Sequence, residues 1–290
     1  MPGREQSHGG WCRVGIFKII NHIKRKTRKE QNCRNFFECF AFFVVNDFFT
    51  VSAVVHSLYI LPWAVAPAAE NMARDWLLLE GFAGPDEPRL RTYGWTQPAA
   101  WTFGYSQPWA EVKAIAGPHA DLVRRPTGGG LVDHRKDWTY ALVLPPAHPL
   151  AQARATESYR AVHEALANAL RAAGVPVELA KVGTTQANAN PISTCFAQAE
   201  PSDVIRADDG RKVAGAAQKR ARRGLLWQGS VSRDAAAEVK DWDAFDENFA
   251  GQLGALLGTQ PKTWGQPACE PAALVEAVAK FSSAEWNRRR

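Results

Sequence analysis

Arg124-Arg125-Pro126-Thr127-Gly128-Gly129-Gly130-Leu131-Val132-Asp133-His134 is the stretch on which the reading of this chain turns. Three consecutive glycines are costly in chain entropy. Between a basic pair and a buried strand, that cost is easiest to justify where backbone must lie close against a ligand. Amides exposed there could hold an anion or a thioester carbonyl. The alternative is a plain glycine-rich turn, because a glycine run alone is a weak signal.

Two further segments carry possible chemistry. In Gly210-Arg211-Lys212-Val213-Ala214-Gly215-Ala216-Ala217-Gln218, the turn Asp208-Asp209-Gly210 makes a hairpin of Val204 to Ala207 and Lys212 to Ala214. Alternation sets Lys212 on the face opposite Val213, so with Val213 in the core Lys212 looks outward or into a cleft. Gly215 and Ala216 leave room for a substrate beside the ammonium; the alternative is a solvated strand lysine. In Ser193-Thr194-Cys195-Phe196, Cys195 follows a polar loop and precedes the hairpin. A thiolate near a cation is a strong acyl acceptor, whereas an isolated cysteine is commonly an inert buried side chain.

Outward from these segments the pattern is strands in pairs followed by helices. Leu90 to Tyr93 and Trp101 to Tyr105 read as short strands about a Gln97-Pro98 turn, and Trp138 to Leu144 as a buried strand. Pro67 opens a helix that Gly81 stops. Ser158 to Ala173 is the clearest helix, with Tyr159, Val162, Leu166 and Leu170 on one stripe. Later helices are predicted over Ala237 to Leu257 and Pro271 to Phe281. The fold class is therefore α+β, a mixed or antiparallel sheet packed with helices.

The chain has 290 residues, 46% apolar and 22% charged, with a formal net charge of +6. Such a composition excludes a disordered or collagen-like chain. Residues 1–58 hold nine basic side chains against Glu5, Glu30, Glu38 and Asp47, a net of +5, which leaves +1 for residues 59–290. The positive balance thus belongs to a short arm and argues against nucleic acid as the partner of the body. Local basic patches, Arg124-Arg125 and Lys219 to Arg223, suit an acidic partner. The five cysteines form no CxxC pair and suggest free thiols in a reducing compartment. The run Phe48 to Ala69 lacks charge, which raises a membrane span or signal segment, but His56 and Pro62 interrupt it and Leu58 to Val65 equally reads as a buried strand leading into the Pro67 helix.

Arg-Arg-Pro-Thr-Gly-Gly-Gly at 124–130, Gly-Arg-Lys-Val-Ala-Gly at 210–215 and Gln228-Gly229-Ser230-Val231 together resemble the lipoate-protein ligase A family, of the biotin/lipoate protein ligase fold. The likeness extends to Asn71-Met72-Ala73, Arg91 to Trp95, Gly104 to Gln107 and Glu285-Trp286-Asn287, from about residue 59 to the end. It implies a class II biotin/lipoate ligase-like catalytic domain over 58–290 and an N-terminal extension, poorly ordered or non-native, over 1–57. Cys195-Phe196 stands where the octanoyltransferases of that family carry Cys-Phe and the ATP-dependent ligases an Arg-Asn-Asp type segment. The resemblance therefore implies acyl transfer from octanoyl-acyl carrier protein through a Cys195 acyl-enzyme to a lysine of an apo lipoyl domain (glycine cleavage H protein or 2-oxoacid dehydrogenase E2).

On that reading Cys195 and Lys212 are catalytic. Arg125, Thr127, Gly128, Gly129, Gly130, His134, Gly215 and Ala216 bind substrate, His134 being a candidate base or a satisfied structural histidine. No cofactor is needed for transfer, the protein is a cytoplasmic monomer, and no metal site is expected. The alternatives are an ATP- and Mg2+-dependent lipoate ligase forming lipoyl-AMP, and a non-catalytic or membrane-tethered homologue. Departures from the family pattern are Ala216 where serine is common, Trp227-Gln228 where a Gln-His or His-Gln pair is frequent, and residues 197–202.

Overall fold

The computed structural model describes residues 56–96, 100–181 and 199–289. The strands are β1 (Ser57–Ala66), β2 (Arg89–Trp95), β3 (Ala100–Phe103), β4 (Asp121–Arg124), β5 (Val132–Asp133), β6 (Asp137–Leu144), β7 (Val177–Leu179), β8 (Val204–Arg206), β9 (Lys212–Ala221), β10 (Gly224–Ser232) and β11 (Gln260–Thr263). The helices are α1 (Ala68–Glu80), α2 (Trp109–Ala116), α3 (Pro149–Gln152), α4 (Ala155–Ala172), α5 (Trp242–Leu257), α6 (Pro271–Ser282) and α7 (Ala284–Asn287). An eight-stranded mixed sheet runs β11-β1-β2-β6-β10-β9-β8-β7, and a three-stranded sheet runs β4-β3-β5.

Alternation along β10 shows how the large sheet separates two cores. Leu225, Trp227 and Val231 face a core completed by Val162, Leu166 and Leu170 of α4 and by Phe245, Phe249 and Leu253 of α5. Leu226 points to the other face, where Met72 and Leu79 of α1 and Phe281 of α6 close a second core. Each such buried side chain contributes about 1.5–3 kcal/mol, so both faces are held firmly and the sheet's phase is well determined.

The α+β expectation holds, as do the Pro67 and Ser158 helices and the strand at Leu58 to Val65. The apolar run at 57–66 is a sheet strand, parallel to both β2 and β11. Among the described residues no helix is long and apolar enough to cross a membrane.

Three expectations change. The strands at 90–93 and 101–105 do not pair: β2 lies in the large sheet and β3 in the small one. The Gln97-Pro98 turn lies outside the described residues. The late helix begins at Trp242, because the Asp241 carboxylate accepts from the amides of Asp243 and Ala244 and caps the helix there. Ala236 and Val239, whose apolar character suggested helix, instead pack into the core from the preceding turns. The predicted hairpin exists as the β8–β9 pair, but β9 runs on to Ala221 and forms a longer hairpin with β10.

Candidate active site

β9 is irregular where it meets β8. Ile205 pairs with Lys212 and Val204 with Ala214, so Val213 is an extra residue in the ladder. A bulge of this kind re-aims the side chain beside it. Strict alternation would place Lys212 on the same face as Ala214; the extra residue puts it on the opposite face, with Gly215. Lys212 is buried, and its Nζ lies 2.6 Å from Oδ2 of Asp203. A β-carbon on Gly215 would come within 2.7 Å of Lys212 Cε and 2.8 Å of Nζ, so the side chain rests on bare backbone. The solvated-lysine alternative is thereby excluded.

Asp203 gathers further donors. The Tyr159 hydroxyl donates to its Oδ1 at 2.6 Å and the Glu200 amide to its Oδ2 at 2.7 Å. Tyr159 also accepts from the Ala216 amide at 3.0 Å, tying α4 to β9 beside the lysine. The turn that presents Asp203 contains Ser202 at φ 69°, a left-handed conformation that costs a non-glycine residue free energy. His163 Nδ1 donates to the Ser202 carbonyl at 2.7 Å and helps hold that turn. Burial lowers the His163 pKa, favouring the neutral ring. Tyr159 is raised well above the usual tyrosine value, first by burial and then by the Asp203 charge.

The glycine loop faces β9 across a narrow cleft. Arg125 is buried and fastens the loop from beneath, its Nη2 donating to the carbonyls of Gly128 and Gly130 at 2.9 and 2.8 Å. A trans peptide points its N–H opposite to its C=O, so the Gly129 amide is turned away from that guanidinium. Gly129 is exposed and sits at φ 86°, a conformation open to glycine. Thr127 donates to Gln228 Oε1 at 2.8 Å, and Gln228 Nε2 donates to buried Asp75 at 2.7 Å. Asp75 also takes bonds from Arg91 and Tyr93; burial raises its pKa, with the Arg91 charge opposing. Gln228 is thus a strut between the glycine loop and α1.

His134 has both ring nitrogens engaged, Nδ1 with Asp137 Oδ2 and Nε2 with Thr102 Oγ1, each at 2.6 Å. It stacks on Trp95 at 3.9 Å between centroids, and Thr102 in turn accepts from Arg125 Nη1 at 2.8 Å. A ring so committed orients its neighbours, so the structural reading of His134 is the better one, although the ring still lines the cleft.

Met72, Trp95, Arg125, Gly129, Gly215 and Gln228 are among the residues lining the cleft. A wider groove over Gly128, Gly129, Tyr159, Ala216 and Ala217 adjoins it. The structure therefore brings Arg125, Gly129, His134, Gly215 and Ala216 together around one cleft, with Lys212 buried against Gly215 of its β9 wall. Thr127 and Gly130 hold the loop in place. Cys195 lies outside the described residues.

A profile of the lipoyl protein ligase A/B catalytic domain matches residues 67–250. The chain belongs to that family. It is 33% identical over 267 residues to octanoyltransferase LipM of Kyrpidia tusciae, across 77% of this chain and 95% of that one. It is 35% identical over 268 residues to octanoyltransferase LipM of Moorella thermoacetica, across 80% and 97%. Among solved structures, a bipartite lipoate protein ligase studied with its E2 lipoyl domain from Thermoplasma acidophilum superposes with a TM-score of 0.58 at 18% identity, covering 81% of this chain and 96% of that one. That likeness speaks for the fold alone.

Within the lipoyl ligase family frame one expectation is corrected. The Arg124-Arg125 pair is not a surface patch. Arg124 is fully buried, with Nη1 donating to the carbonyls of Tyr105 and Gln107 and Nη2 to that of Asn287. Trp286 Nε1 donates to the Arg124 carbonyl, so the closing Glu285-Trp286-Asn287 motif anchors the chain end to β4. Asp203 and Tyr159 are the residues that sequence reasoning did not single out. Tyr159 was visible only as part of an apolar stripe, and nothing local marks Asp203 as its partner.

Proposed function

We propose that this protein is an octanoyltransferase of protein lipoylation, moving octanoate from a carrier-protein thioester through a Cys195 thioester to a lysine of an apo lipoyl domain. The observation that carries the reading is the match, over nearly their whole length, to relatives named octanoyltransferase LipM. The geometry around Lys212 supports it.

In the first half-reaction the Cys195 thiolate attacks the donor's thioester carbonyl. The tetrahedral oxyanion collapses, the carrier leaves as a thiolate that takes up a proton, and octanoyl remains on Cys195. Lys212, ion-paired with Asp203, supplies positive charge to the thiolate and the oxyanion, and the Gly129 amide supplies a hydrogen bond. In the second half-reaction the neutral amine of the acceptor lysine attacks the Cys195 thioester. The amide forms, the amine loses its proton and Cys195 returns to thiolate. An acceptor lysine with an ordinary pKa of about 10.4 must be deprotonated first, which a desolvated cleft assists.

Because the donor arrives as a thioester, the reaction draws on no ATP and no metal, and it belongs in the cytoplasm, with an acyl carrier protein and apo lipoyl domains as partners. Purified protein incubated with octanoyl-acyl carrier protein and an apo lipoyl domain should give an octanoyl adduct on Cys195 by intact mass, then octanoylated domain. Product formed from free octanoate and ATP by the Cys195→Ala variant refutes the proposal in favour of an adenylating ligase.

A further inference from the structure

On the cleft-facing side of β9, beyond Gly215 and Ala217, Lys219 meets two cations from distant parts of the chain. Lys219 Nζ lies 5.5 Å from the Tyr105 ring centre and 5.7 Å from that of Trp76. Lys280 of α6 lies 4.4 Å from Trp76 and 4.8 Å from Trp286, and Arg289 lies 4.0 Å from both Tyr105 and Trp286. Three half-buried rings thus hold three positive charges in one cluster. Among the described residues no carboxylate comes within 4 Å of any of the three, while the nearby Glu80 pairs with Arg223 at 3.7 Å.

Such an arrangement is unfavourable in the protein taken alone. Ring faces attract cations, with about 0.5–1 kcal/mol gained per exposed contact, but they neutralise nothing. The pKa of Lys280 is depressed by partial burial and then by Arg289 and Lys219, with the Glu80 charge opposing, the signature of like charges held together. Clustered cations short of counter-charge are suited to an anionic partner, which relieves the repulsion on binding.

Position identifies the partner. Gly215, against which the Lys212 ammonium rests, is four residues from Lys219, or about 13 Å along an extended strand. A protein that presents its acyl group at the end of a long prosthetic arm can set its body on the patch while the thioester reaches Lys212. A protein whose acceptor is a lysine side chain has no such reach and must sit over the cleft itself. We infer that Lys219, Lys280 and Arg289, on the rings of Trp76, Tyr105 and Trp286, form the docking site for the acidic face of the carrier protein that delivers the acyl group. This rests on the transfer reaction proposed above and names the surface that recognises its donor.

The test uses Lys219→Ala, Lys280→Ala and Arg289→Ala singly and together, with Lys219→Arg and Lys280→Arg as charge-retaining controls. Transfer is measured with two donors, octanoyl-acyl carrier protein and a small octanoyl thioester that lacks any protein, each against the same apo lipoyl domain. The triple variant should raise KM for the carrier-bound donor by about tenfold or more, more steeply at low salt, and leave turnover of the small thioester and KM for the lipoyl domain as in the wild type. The arginine controls should retain wild-type KM. An unchanged KM for the carrier-bound donor overturns the docking site while leaving the transferase reading intact. A rise in KM for the lipoyl domain instead overturns it in favour of an acceptor site. A wild type that uses neither donor overturns both.

Discussion

Gly215→Ala separates stability from activity more cleanly than any change to the charged residues. An alanine β-carbon at 215 would sit 2.7 Å from Lys212 Cε, 2.8 Å from Nζ and 3.1 Å from Asp203 Oδ1, and ordinary contact begins near 3.4 Å. The lysine tip must therefore retreat by roughly 0.7 Å, which pulls it from the carboxylate it holds at 2.6 Å. The atoms that must yield are the far end of a flexible side chain, so the fold absorbs the change. Replacing a strand glycine also removes unfolded-state entropy, offsetting about 0.4–1 kcal/mol of any strain. Catalysis is less forgiving, because misplacing a catalytic group by about 1 Å can cost 100-fold in rate. The variant should melt within a few degrees of wild type while kcat/KM for octanoyl transfer falls roughly 100-fold. Melting is followed by circular dichroism and transfer by mass spectrometry. Transfer within threefold of wild type, with Lys212 itself required, would refute the idea that Gly215 is there to seat the lysine.

Two other outcomes follow from buried charge. Lys212→Met should destabilise the protein by about 3 kcal/mol, because Asp203 is left buried without its cation; urea unfolding should show part of that loss recovered in Lys212→Met/Asp203→Asn, and no recovery would show the two to be uncoupled. The Asp246 carboxyl on α5 is pushed up to about 6, chiefly by burial and then by Asp243 and Glu247, with a bond from Thr92 opposing. A raised folded-state pKa means that the protonated form is favoured on folding, so its contribution is complete below the unfolded value near 3.8 and lost as pH rises through 6. Asp246→Asn should accordingly gain in Tm over wild type between pH 5 and pH 7.5, and a constant difference across that range would contradict the assignment.

Much of the site was legible because its signals are local. The triple glycine, the lysine hairpin and the late Gln228-Gly229-Ser230 motif each advertise a backbone requirement or an unusual composition, and together they pointed to one family and one cleft. What stayed hidden depends on residues far apart in the chain. Asp203 is 44 positions from Tyr159, and no periodicity in either segment announces that one hydroxyl will meet that carboxylate. Arg124 and Arg125 look alike in sequence, as a basic pair suited to a surface. Both are buried, because backbone carbonyls from two loops and from the end of α7 converge on them.

By itself, then, the sequence determined the α+β class, the principal helices, the family and the identity of the lysine and glycine loop at the site, since these rest on short-range patterns of polarity and backbone freedom. Tertiary structure alone decided what the lysine meets. Alternation already sets the side chain on the face opposite core Val213, outward or into a cleft; the bulge, a property of the pairing between β8 and β9 and not of either strand, settles which. That one unpaired residue turns Lys212 inward onto Gly215 and Asp203. It also sets the ammonium on the sheet face along which Lys219, Lys280 and Arg289 gather.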